Sequence, residues 1–119
     1  MKEIIEGFKE FFLEGEQAEQ NEHYRAAASN YYKAIVQIAR LLIWKKTGKV
    51  PKNHQEIFLF LKINFQEVYD IINPLFRIYQ DSYERSLTKE EVSHLKDGIN
   101  KISQREDVGE EIRVLIAKM

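Results

Sequence analysis

Residues 76–85 contain the side chains of this chain that are best suited to bind a phosphorylated ligand. They combine a cation, hydroxyl groups and aromatic rings: Arg77, Tyr79, Asp81, Ser82 and Tyr83. A guanidinium group binds phosphate with a fork of N–H donors, and tyrosine rings stack on nucleobases. In a helix, Arg77 lies beside Asp81 and Tyr79 beside Tyr83, because residues four apart are neighbours. The pattern predicts a nucleic-acid or nucleotide site, but it is also typical of an exposed, ion-paired helix face.

No other part of the sequence has the spacing of a catalytic or metal-binding motif. The histidines His23, His54 and His94 are isolated, and none forms a His-Glu-x-x-His pattern. The five glycines are scattered and form no phosphate-binding loop, and no serine lies in a strand–turn–helix nucleophile elbow. We therefore expect no catalytic residue, no metal site and no cofactor.

Composition indicates a globular protein of one domain spanning residues 1–119, with 44% apolar and 31% charged residues. Cysteine is absent, which excludes disulfides and is compatible with a reducing compartment. No apolar run is long enough to span a bilayer, and the acidic N-terminus lacks a signal-peptide core. We expect a cytoplasmic protein without membrane contact. The net charge of −1 argues against strong nonspecific nucleic-acid binding, although a local basic patch remains compatible with it.

Residues 23–48 predict the central helix of the fold. Apolar side chains recur there every three or four residues, at Ala27, Tyr31, Ala34 and Ile38. The small residues of its first half allow another backbone to approach closely. Gly48 can adopt the left-handed conformation that ends a helix. We expect the other helices to cover this one from more than one side.

The remaining segments also predict helices. Residues 2–20 are amphipathic, and the capping-box spacing opens helices after residues 53, 64 and 88 and, more weakly, after residue 107. The helix from about residue 65 to residue 86 contains Pro74, which either kinks it or starts a new helix. No segment alternates as a strand would. The sequence therefore predicts an all-α, up-and-down bundle of four to five helices with an additional short C-terminal helix.

The chain resembles the HEPN superfamily of prokaryotic helical bundles over most of its length. The matching features, in chain order, are residues 27–34 (Ala-Ala-Ser-Asn-Tyr-Tyr-Lys-Ala), the turn at 48–51, His54, Leu75, Arg77, the Asp81-Ser82-Tyr83 run and the 88–91 turn. Their order and spacing agree with the family better than any single motif does.

The resemblance implies a helical bundle that frequently forms homodimers and acts on or near RNA. Some HEPN members are ribonuclease toxins paired with a nucleotidyltransferase antitoxin, and others are noncatalytic binding domains. Catalytic members carry an arginine followed, after four to six residues, by a histidine. Arg77 matches the arginine, but Ser82 stands where the first histidine position falls. A serine hydroxyl does not accept a proton near neutral pH as imidazole does.

The sequence therefore predicts a noncatalytic HEPN-like bundle that binds RNA or nucleotide through an Arg/Tyr surface. The alternative is a protein-interaction module, for example one that binds a nucleotidyltransferase through apolar surface left over from the bundle. The two hypotheses differ in salt dependence, because phosphate binding weakens with salt whereas apolar docking does not.

Overall fold

The computed structural model describes residues 2–118, which form α-helices and no β-strand. The helices are α1 (Lys2–Gln20), α2 (Tyr24–Thr47), α3 (His54–Asn64), α4 (Gln66–Asp81), α5 (Lys89–Ser103) and α6 (Glu110–Lys118). The predicted all-α bundle with a short C-terminal helix is confirmed. None of the helices in the described range is long and apolar enough to cross a membrane.

Helix α2 is the centre of the bundle, as its sequence predicts. It packs against α1, α3, α4 and α5. Its buried residues extend over almost the whole helix: Ala27, Ala28, Tyr31, Tyr32, Ala34, Ile35, Ile38, Ala39, Leu41, Leu42 and Ile43. Gly48 ends the helix in the left-handed conformation, with φ of 77°, and its N–H donates to the Trp44 carbonyl. Burial on several sides gives α2 the largest share of the core.

Helix α1 approaches α2 closely at Gly15. A Cβ atom at this position would lie 2.6 Å from Cδ1 of Tyr31, whose side chain is fully buried. The Tyr31 hydroxyl donates to Oε1 of Glu19 over 2.7 Å, and Lys96 of α5 lies 3.3 Å from the same carboxylate. Burial and the Glu19 hydrogen bond both raise the pKa of Tyr31. This contact joins α1, α2 and α5.

Two of the predicted helix starts are confirmed in detail. The Asn53 side chain accepts a hydrogen bond from the Glu56 N–H, and Thr88 forms a reciprocal capping box with Glu91. In α3, the Glu56 carboxylate binds the N–H of Lys52 at 2.9 Å. Both caps depend on residues three apart, so sequence alone is sufficient to predict them.

The predicted caps at Asn64 and Asp107 are wrong. Asn64 is the last residue of α3 and its side chain donates to the Phe60 carbonyl, whereas Phe65 alone joins α3 to α4. Asp107 instead binds the guanidinium of Arg105 through two hydrogen bonds of 2.9 Å. In each case the side chain of the predicted cap residue forms a different hydrogen bond and does not cap the following helix.

Helix α4 is a single helix that contains Pro74, but it is shorter than predicted. It ends at Asp81, and residues 82–85 form a turn. The Ser82 hydroxyl donates to the Tyr79 carbonyl at 2.6 Å, and the Ser82 N–H reaches the Ile78 and Tyr79 carbonyls. These bonds satisfy carbonyls of the last turn and end the helix five residues before the predicted position.

We predict that Gly15→Ala destabilises the fold. The added methyl group meets the rigid, hydrogen-bonded ring of Tyr31, and overpacking of this kind costs about 1–3 kcal/mol. The better helix propensity of alanine returns only about 1 kcal/mol. Urea unfolding followed by circular dichroism measures the difference.

Gly7→Ala is the matched control, because its Cβ would meet only the flexible Gln37 side chain at 3.4 Å. This variant should be as stable as the wild type or more so. If Gly15→Ala and Gly7→Ala raised the free energy of unfolding equally, the prediction would be wrong, because Tyr31 would then move away from the added methyl group at little cost.

Candidate nucleic-acid interface

Arg77 lies on the solvent side of α4. Its side chain is 83% exposed, and its Nε lies 3.9 Å from Oδ1 of Asp81. At that distance on an exposed surface, the ion pair contributes little to stability. The guanidinium is therefore accessible to an anionic ligand.

Tyr79 and Tyr83 form a hydrogen-bonded pair at the end of α4. Their hydroxyl oxygens are 2.8 Å apart, and their rings meet edge to face with centroids 5.4 Å apart. Tyr79 also stacks on Tyr32 of α2 at 4.5 Å, so it is half-buried, whereas Tyr83 is 65% exposed. Burial, followed by the hydrogen bond between Tyr79 and Tyr83, raises the pKa of Tyr79 to about 12. The exposed Tyr83 ring is free to stack on a ligand.

Asp81 belongs to an ion-pair cluster with Arg85 and Glu91. Nη2 of Arg85 lies 2.9 Å from Oδ2 of Asp81 and 2.6 Å from Oε2 of Glu91. The Glu91 carboxylate also accepts the Thr88 N–H at 3.0 Å. Hydrogen bonds from Arg85 and then Thr88 lower the pKa of Glu91 to about 2. This cluster holds the turn between α4 and α5, so the role of Asp81 in the structure is positional.

Ser82 is 6% exposed, and its hydroxyl is bound to the Tyr79 carbonyl. Its own carbonyl accepts a 2.7 Å hydrogen bond from Nε of Arg25, and the Tyr83 carbonyl accepts one of 2.9 Å from Nη2 of the same arginine. Arg25 of α2 therefore binds the end of α4 and fixes the position of the Tyr83 backbone.

The structure divides the predicted Arg/Tyr surface into two sides. Side chains two residues apart on an α-helix differ by about 200°, so Arg77 and Tyr79 point away from each other. Within residues 2–118, the polar contacts of Arg77 reach Asp81, whereas Tyr79 packs on Tyr32. The tyrosines thus lie together on the side nearer α2, with Arg77 on the outer side.

Sequence reasoning missed three residues of this region: Arg25, Tyr32 and His54. The His54 ring lies 5.9 Å from that of Tyr32 and 5.5 Å from that of Phe76. Tyr32 is buried beneath these rings, and its hydroxyl has no hydrogen-bond partner within the described chain. Burial, followed by the neighbouring Tyr79, raises the pKa of Tyr32. No local spacing signal links these residues, because the contacts join different helices.

Charge is distributed unevenly along the chain. Residues 2–22 contain seven glutamates and two lysines, whereas residues 23–55 contain no acidic residue. The cations of this acid-free segment are Arg25, Lys33, Arg40, Lys45, Lys46, Lys49 and Lys52. None of them forms an ion pair with any residue in the range 2–118. Arg25 brings one of these charges to the end of α4, where it donates to the Tyr83 carbonyl.

Helix α3 exposes apolar side chains as well as burying them. Residues 57–61 are all apolar, which places apolar groups around the whole helix. Ile57 and Leu61 face the core, while Leu59 and Ile63 are 61% and 71% exposed. Leu59 and Ile63 lie one turn apart on the helix, and exposed apolar side chains grouped in this way are a feature of interaction sites.

Among the described residues, no three His, Asp or Glu side chains lie together in an arrangement that could hold a metal ion. Searches of protein-family models, curated proteins and solved structures found no match to this chain.

We predict that Glu91→Gln removes an acid-sensitive part of the stability. The pKa of this carboxylate is lowered from 4.5 to about 2 in the folded protein, so its ion pair stabilises the fold above the unfolded pKa. That contribution is lost as the pH falls through the interval between the two pKa values. At neutral pH, the melting temperature of the variant should be lower than that of the wild type. As the pH falls, the melting temperature of the variant should decrease less than that of the wild type.

Thermal unfolding of wild type and variant between about pH 2 and pH 7 measures this difference. Glu90→Gln is the control, because the Glu90 side chain has no hydrogen bond or ion pair with residues 2–118. Identical pH profiles for wild type and Glu91→Gln would contradict the prediction.

Proposed function

We propose that this chain is a cytoplasmic, noncatalytic, HEPN-like bundle that binds single-stranded RNA or nucleotide beside the end of α4. Homodimerisation and a toxin–antitoxin setting are parts of the same proposal and derive from the family resemblance alone. The observation that carries the binding proposal is the Tyr79–Tyr83 pair, which packs on an acid-free, cationic helix.

Single-stranded nucleic acid binds to surfaces that combine aromatic rings with cations along the backbone path. The Tyr83 ring is exposed, and Arg25 of α2 fixes the Tyr83 backbone by donating to its carbonyl. Arg77 offers an exposed guanidinium on the outer side of the same helix end. A strand that crosses this end of α4 can therefore stack on Tyr83 and place a phosphate beside Arg77.

The state of Ser82 supports binding without ribonuclease chemistry. This residue occupies the position where the family's histidine would follow Arg77. Its hydroxyl is buried and donates to a backbone carbonyl, so it neither faces solvent nor replaces an imidazole as a general base.

We predict different effects from the two exposed groups of the site. Tyr83→Ala should weaken binding of a short single-stranded RNA by about tenfold or more, through lost stacking, with the salt dependence unchanged. Arg77→Ala should also weaken binding and should reduce the slope of log K against log salt by about 0.7, as expected for one single-strand phosphate contact. Fluorescence anisotropy titrations at several salt concentrations measure both quantities.

Lys9→Ala is the matched control for charge, because Lys9 is an exposed lysine on α1 without an ion pair in residues 2–118. It changes the net charge as Arg77→Ala does, but it should leave affinity and slope close to those of the wild type. If Tyr83→Ala, Arg77→Ala and wild type gave superimposable curves at low salt, the binding proposal would be wrong.

A second candidate function, docking of a protein partner, is favoured by the exposed α3 side chains Leu59 and Ile63. A nucleotidyltransferase encoded beside this gene is the partner that the family resemblance implies. Apolar docking of this kind requires no RNA and depends little on salt.

For this candidate, we predict that Leu59→Ser combined with Ile63→Ser abolishes co-purification with the co-expressed neighbouring protein. The paired control is Leu13→Ser, which changes an exposed leucine on α1. Retention of the complex by the double variant, or its loss in high salt, would exclude the α3 surface as the docking site.

A further inference from the structure

A cavity of about 250 Å³ lies where α2 faces the start of α3. Arg40, Lys52 and His54 line it, together with polar Gln37 and Asn53, and none of its lining residues is acidic. We infer that this cavity binds a phosphomonoester, the terminal phosphate of a nucleic-acid strand or nucleotide. The inference rests on the proposed function and names the part of the ligand that this second location recognises.

The cationic side chains of the cavity have no anionic partner in residues 2–118. Nη1 of Arg40 donates to Oε1 of Gln37 at 3.2 Å, a neutral acceptor that orients the guanidinium and leaves its charge uncompensated. The side chains of Lys52 and His54 form no hydrogen bond or ion pair within the described chain. Glu56, which follows the acid-free segment, does not line the cavity, and its carboxylate accepts the backbone N–H of Lys52 at 2.9 Å.

The side chains, and not the start of α3, carry the inference. The Glu56 N–H in the first turn of that helix already donates to Oδ1 of Asn53 at 2.9 Å. The remaining lining of the cavity is apolar: Val36, Pro51 and Ile57. These apolar residues border the polar side chains, of which Lys52, Asn53 and His54 are exposed to solvent.

The number of donors favours a terminal phosphate over an internal one. A terminal phosphate carries a charge of about −1.5 to −2 near neutral pH and has three strong acceptor oxygens. An internal phosphodiester has one charge and two free oxygens. Arg40, Lys52 and His54 can supply donors to all three oxygens of a monoester, and the arginine fork can bind two of them.

The location of the cavity connects it to the tyrosine pair. The ring of His54 lies 5.9 Å from that of Tyr32, and Tyr32 lies 4.5 Å from Tyr79, which contacts Tyr83. Tyr32 itself is buried, so the bases that follow a phosphate bound in the cavity would pass over the exposed His54 and the half-buried Tyr79 toward Tyr83. The two locations together would bind one end of a single strand.

The test compares RNA oligonucleotides of one sequence that differ only at their ends. They carry a 5′-phosphate, a 3′-phosphate or hydroxyl groups at both ends, and binding is measured by fluorescence anisotropy. A phosphorylated end should improve affinity by about tenfold or more, as expected for hydrogen bonds to charged groups. The ratio of the affinity for phosphorylated RNA to that for hydroxyl-ended RNA is the quantity compared. Arg40→Gln should abolish the preference for phosphorylated RNA and leave the affinity for hydroxyl-ended RNA nearly unchanged.

Two further variants make the test specific. Arg40→Lys retains the positive charge but loses the paired N–H donors of the guanidinium, so the preference for phosphorylated RNA should fall only in part. Lys49→Gln removes a charge three residues before Lys52 and outside this cavity, so it should leave the ratio at its wild-type value. Circular dichroism spectra identify any variant that does not fold, and Lys52→Gln then replaces Arg40→Gln.

The outcomes separate this inference from the proposed function. If RNA binds through Tyr83 with equal affinity whatever its ends, the cavity inference is wrong and the proposed function stands. If hydroxyl-ended RNA does not bind but inorganic phosphate or a nucleoside monophosphate does, and Arg40→Gln abolishes that binding, the phosphate site stands without the RNA function. Absence of binding for every probe overturns both.

Discussion

The burial of α2 on opposite sides is the constraint on which the rest of the structure depends. The adjacent residues Tyr31 and Tyr32 are both fully buried, and they point to different neighbours. Tyr31 packs against Gly15 of α1 and donates to Glu19, whereas Tyr32 lies beneath rings from α3 and α4. Covering both sides of one helix requires helices on each side of it, and this requirement produces the bundle.

The same packing explains the division of the candidate site. Because the Tyr79 side of α4 must cover Tyr32, Arg77 is directed to the opposite, solvent side. Arg25 then binds the carbonyls of Ser82 and Tyr83, which brings the start of α2 and the end of α4 together. The aromatic groups are therefore organised by the core, whereas Arg77 has, among residues 2–118, a single long ion-pair contact with Asp81.

Charge and packing coincide in α2. The helix that forms the centre of the core also belongs to the acid-free segment, and its polar residues face solvent beside the aromatic rings. Seven of the 19 acidic residues lie in residues 2–22, and the other twelve follow residue 55, including Glu67, Asp70 and Asp81 of α4. A nearly neutral chain can therefore present a local cationic surface, since the net charge of −1 combines the acid-free residues 23–55 with acidic segments before and after them.

The sequence by itself determined the helices and most of their ends, because periodicity and caps such as Asn53, Gly48 and Thr88 involve residues only three or four apart. It also indicated the exposed Arg77 and Tyr83. Only the tertiary structure decided which side of α4 faces α2, and which distant residues join the site. Arg25 and Ser82 are 57 positions apart in sequence, and His54 meets Tyr32 across two helices. Contacts of this kind follow from how the helices pack, and no local spacing rule contains that information.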